Sequence, residues 1–139
     1  MGDTMETLRA VVEIAFPAGD GIPSGLDVKA EDHIRDAIEV LLPGASDLLA
    51  ALLDGGAMER GAASFVELSA EDRVEVFRSM LAEPVADIRE AAEAVLLFGY
   101  GAIYSDWGNY SNGTLTRPAV WDTIGYGGPV EGHPEYRNA

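Results

Sequence analysis

Apolar side chains recur at intervals of three and four from Leu8 to Ile103, and no stretch alternates with period two for long enough to make a sheet. This spacing restricts the front of the chain to helices that bury one stripe each against their neighbours. It predicts an all-α fold, a compact bundle of about five helices over residues 1–104, in a single domain spanning 1–139.

Asp3, with Glu6 three residues on, is placed to cap a first helix whose inner face is Leu8, Val11, Val12 and Ala15, and Pro17 stops it. Residues 17–25 are turn formers almost throughout and read as a loop. A second helix from about Val28 to Leu42 is expected to turn Ile34, Ala37, Ile38, Leu41 and Leu42 inward and Glu31, Asp32, Arg35 and Glu39 outward, until Pro43-Gly44 breaks it. A third, capped by Ser46, should bury Leu48, Leu49, Leu52 and Leu53 and end at Gly55-Gly56. Phe65 then leads into a helix capped by Ser69, with Val74, Phe77 and Leu81 as its stripe and Arg73, Glu75 and Arg78 in water. Pro84 suits the first turn of a fifth helix, whose stripe Val85, Ile88, Ala92, Val95 and Leu96 continues toward Tyr100 and Ile103.

At Tyr104 the pattern collapses into an irregular tail, residues 105–139, rich in glycine and aromatics. Both tryptophans and all five tyrosines lie after Gly99. Asn112-Gly113 is its strongest turn signal, Pro118 to Ile124 can form one or two helical turns, and Gly125-Tyr126-Gly127-Gly128-Pro129 ends them. Disordered segments are poor in aromatics, so this composition points to a tail lying on a surface, its own or another chain's.

Twenty-four acids against nine bases give a formal charge of −15, which repels nucleic-acid phosphates and anionic lipid, so nucleic acid is not an expected partner. The absence of cysteine removes disulfides and thiolate chemistry. No apolar run approaches the roughly 20 residues of a membrane span, so direct membrane insertion is not expected. The first residues have neither a basic nor an apolar export region, which fits a cytoplasmic chain as written.

The residues that carry chemistry form no motif. Asp20-Gly21 lacks the alternating oxygen ligands of a calcium loop, because Ile22 and Ser24 stand where acids or amides belong. His33 and His133 are isolated and read as surface residues, so no metal site is expected. Gly99-Tyr100-Gly101 has no preceding strand and no Gly-x-x-Gly continuation, so no dinucleotide site is expected in this chain. Tyr104 and Asp106 are an acid–base pair only on paper, since such residues at a helix end usually form a tie and a turn. No catalytic or cofactor-binding residue is assigned.

Four stretches in order resemble the gluconate 2-dehydrogenase subunit 3 family: Leu8 to Pro17, Phe65 to Arg73, and Gly101-Ala102-Ile103-Tyr104-Ser105-Asp106 paired with Trp121-Asp122-Thr123-Ile124-Gly125-Tyr126-Gly127-Gly128-Pro129. The resemblance implies a small non-catalytic subunit of a flavin-dependent sugar or alcohol dehydrogenase. The FAD would then reside in a large glucose-methanol-choline-type flavoprotein partner, often accompanied by a cytochrome c subunit. The small subunit would support folding, stability or export of the large one, and Tyr104, Trp107, Tyr110, Trp121, Ile124 and Tyr126 would be its partner-binding residues. Such subunits typically begin with a twin-arginine export signal, which this chain lacks as written, so a periplasmic location would need a removed signal or one carried by the partner. The alternative from the residues themselves is a free-standing small-molecule enzyme or binder that uses Tyr104, Asp106 and Trp121 around an apolar pocket.

Overall fold

The first helix begins as its cap dictates: the Asp3 carboxylate accepts from the backbone N–H groups of Met5 and Glu6 at 3.0 and 3.1 Å, and α1 runs Thr4–Ala15. The structure, a computed structural model, describes residues 2–105, 110–111, 114–115 and 117–127. Four further long helices follow, α2 (Ala30–Leu41), α3 (Ala45–Glu59), α4 (Ala70–Leu81) and α5 (Ala86–Tyr104), with a 3₁₀ turn Phe65–Glu67 between α3 and α4. The fold is an all-α bundle. Two two-residue strands, β1 (Tyr110–Ser111) and β2 (Thr114–Leu115), pair antiparallel, and a short α6 (Ala119–Ile124) comes last.

One continuous core fills the bundle. Leu8, Val11 and Val12 of α1, Ile34 of α2, Leu53 of α3, Phe65, and Ala92 and Val95 of α5 are buried together. Phe16, just past α1, packs its ring against Gly99, where any Cβ would collide with it, so glycine there sets how closely α5 approaches. Gly25 makes a similarly close approach, a Cβ there standing 2.7 Å from Val12 and 2.9 Å from Phe16.

Several sequence expectations are corrected. α3 is not capped by Ser46 and does not stop at Gly55-Gly56; it starts after Gly44, which is in the left-handed conformation, and runs through both glycines to Glu59. Packing explains the continuation, because a Cβ on Gly56 would stand 2.7 Å from Val76, so that glycine serves the α3–α4 contact. Ser46 is held instead by Glu39, whose carboxylate accepts from the N–H groups of Gly44 and Ser46 and from the Ser46 hydroxyl. These bonds hold the Glu39 carboxyl below its ordinary pKa, the Ser46 hydroxyl contributing most.

The inner stripe of α4 is Val76, Phe77 and Met80, with Val74 and Leu81 only partly buried. Arg73, expected in water, instead folds back to donate to the carbonyls of Phe65 and Val66 and to Glu13, tying off the 3₁₀ turn. Glu31, expected outside, is buried facing α1, its carboxylate 3.5 Å from Arg9. Leu41, Leu42, Leu48 and Val85, expected inside, are exposed. Asp54, unremarkable in the sequence, is buried and accepts from the N–H of Phe65 at 2.9 Å and of Gly2 at 3.0 Å, joining the N-terminus to the 3₁₀ turn.

Candidate partner-contact surface

The C-terminal end of α5 is where the aromatic residues gather. Tyr100 and Tyr104 project from successive turns of α5, their rings 6.3 Å apart, and Phe16 meets Tyr100 edge-on at 5.1 Å. Beside them the 17–25 loop and α5 enclose a cleft of about 380 Å³ lined by Phe16, Ile22, Tyr100, Ile103 and Tyr104, among others.

Against this end packs α6. Pro118 leads into the helix, and Val120 and Trp121 turn inward, 1% and 4% exposed. The Trp121 indole N–H donates to the Tyr104 carbonyl at 3.4 Å, and the Thr123 hydroxyl donates to the Gly21 carbonyl at 2.8 Å. Gly125 takes the left-handed conformation that ends α6, and the Tyr126 N–H closes back on the Trp121 carbonyl at 2.8 Å. The turn brings the Tyr126 ring edge-on to Trp121, 4.9 Å between centroids.

Arg117, which carried no signal in the sequence, clamps the same unit. Its guanidinium lies 5.7 Å over the Trp121 ring, pairs with Asp122 at 2.9 Å, and donates to the carbonyls of Tyr126 and Gly127. The spacing Trp121-x-x-Ile124-Gly125-Tyr126 is thus a self-closing turn: the indole is the floor, the glycine makes the bend, and the tyrosine folds over it.

Of the expected contact residues, Tyr104, Ile124 and Tyr126 are exposed on this corner, with Tyr100 added by the structure. Trp121, expected among the contact residues, is buried within the chain's own packing, its indole tied to α5 and its ring covered by Arg117. Tyr110 enters as a strand residue paired with Leu115. Trp107, Asp106, His133 and the Asn112-Gly113 turn lie outside the described residues. His33, expected at the surface, is half buried edge-on to Phe98 at 6.3 Å; burial lowers its pKa, and Asp36 partly opposes the shift. Among the described residues, no group of three or more His, Asp or Glu is arranged to hold a metal ion, and no helix is long and apolar enough to cross a membrane. No family model, curated protein or solved structure matches the chain.

Proposed function

We propose that this chain is a non-catalytic accessory subunit of an FAD-dependent, glucose-methanol-choline-type oxidoreductase, supporting the folding, stability or export of the large flavoprotein subunit. The observation that carries this reading is the aromatic corner: Tyr100, Tyr104, Ile124 and Tyr126 stand exposed where buried Trp121 ties α6 to the Tyr104 carbonyl. Rigid aromatic groups with a polar handle are the side chains enriched at protein interfaces, and fixing them beforehand lowers the ordering cost of binding. The same corner joins Tyr104, in one motif behind the family resemblance, to Trp121, at the start of the other.

The test is co-expression with a candidate glucose-methanol-choline-type flavoprotein from the same genome, followed by affinity capture and size measurement. The wild-type chain is expected to capture the flavoprotein, and the double variant Tyr104→Ser, Tyr126→Ser to lose it with unchanged helix content. A flavoprotein that purifies alone beside a monomeric small chain would overturn the reading.

The cleft of about 380 Å³ beside Tyr104 favours a second reading, a free-standing small-molecule binder, since this volume is within the range of ligand sites. Trp121 does not line that cleft, so the binder would rest on Tyr104 and its apolar neighbours. A ligand retained by the isolated chain and released by Tyr104→Phe would support it.

A further inference from the structure

The N-terminal half of α5 borders a different surface. Between it and the α2–α3 corner runs a trough of about 380 Å³, floored by Ile38 and Leu49 and walled by Leu41, Leu42 and Leu48. The wall leucines are 72%, 58% and 55% exposed, at positions that helical patterning would bury. Asp87 and Glu90 of α5 form the opposite rim, and neither has a hydrogen-bond or ion-pair partner among the described residues. The corner is fixed rather than loose, because Glu39 pins Gly44 and Ser46.

We infer that this trough is a second docking site, and that its occupant is a basic amphipathic helix of a partner protein. Exposed leucines facing a wall across an open trough are the receiving half of helix-in-groove recognition, in which apolar anchors at i, i+3 or i+4 and i+7 enter the groove. One carboxylate rim selects a helix carrying Lys or Arg along the flank that meets α5. A second copy of this chain is a poor match. Every arginine among the described residues is already paired with an acid, leaving only Lys29 of the described lysines and arginines outside an ion pair, and the chain carries −15 overall. Anionic lipid is repelled by the same charge. Glu90 and Tyr104 are about 21 Å apart along α5 at about 1.5 Å per residue, so the trough and the aromatic corner are separate surfaces.

The test uses the full chain and a labelled helical model peptide of about 15 residues, with leucines at i, i+4 and i+7 and lysines on one flank. Binding is followed by fluorescence anisotropy. The lysine peptide is expected to bind at least about tenfold more tightly than the same peptide with glutamates, and to weaken as salt rises. Leu48→Asp should weaken it by about tenfold or more, and Glu90→Gln should weaken it measurably, whereas Glu71→Gln, an exposed acid on α4 outside the trough, should not. Circular dichroism of each variant checks that the fold is retained. Equal loss from Glu71→Gln and Glu90→Gln, indifference to Leu48→Asp, or no preference for the lysine peptide would overturn the inference. So would a homodimer abolished by Leu48→Asp, or binding to anionic vesicles abolished by it.

Discussion

At one end α5 borders exposed leucines and two carboxylates with no partner among the described residues; at the other it meets a buried tryptophan, tied to the Tyr104 carbonyl and met edge-on by Tyr126. Both ends are rich in apolar surface, yet the chain treats them differently. The aromatic end is closed by α6 through an indole hydrogen bond, a cation over the ring, and a turn that folds Tyr126 back. Among the described residues, no element closes over the leucines of the aliphatic end. An aromatic cluster therefore does not by itself identify a contact surface, since part of it is the support on which the exposed part stands.

The sharpest way to break that comparison is Trp121→Ala. If the indole is internal packing, its loss should cost about 3 kcal/mol or more, read from the urea midpoint of the isolated chain. An unchanged midpoint would return Trp121 to the outward contact set. Two adjacent leucines give the next effect: Leu49→Ala, at the buried floor, should cost about 2–5 kcal/mol, and Leu48→Ala, on the exposed wall, no more than about 0.5 kcal/mol. Similar losses at both would mean that the trough is closed in solution.

Gly99→Ala tests the close approach of Phe16, with an expected loss of about 1–3 kcal/mol in the same urea experiment. The smallest effect is a pH dependence at the α2–α3 corner. The folded-state pKa of Glu39 is depressed, so its contribution is fully present above the ordinary glutamate value of 4.5 and is lost as pH falls below it toward the depressed value. Melting temperatures of wild type and Glu39→Gln should therefore converge in acid and separate toward neutral pH. Parallel curves would show that the Glu39 bonds to Gly44 and Ser46 contribute nothing.

Helix positions were legible because caps and breakers act locally: Asp3 and Ser69 cap as read, Pro17 follows the end of α1, and Gly125 ends α6. The facing of each stripe was less legible, since it depends on neighbours distant in sequence. Gly55-Gly56 looked like a stop, and Gly56 is a packing notch for Val76; Leu41 and Leu42 looked like core but stand exposed at the C-terminal end of α2. At the aromatic corner the residue types were readable and their orientation was not. Nothing within Trp121 to Tyr126 indicates that Arg117 will lie over the ring, because that geometry depends on how the residue before α6 folds back along the helix and the turn after it.

The proposed support of a flavoprotein by this corner is tested most directly by the ratio of flavin to protein absorbance in the large subunit. It should be produced with the wild-type chain, with the Tyr104→Ser, Tyr126→Ser variant, and with no small chain. A partner that binds only the folded state stabilises it by mass action, so the first preparation should show higher yield and fuller flavin loading than the other two. Equal loading, yield and thermal stability in all three would contradict the account.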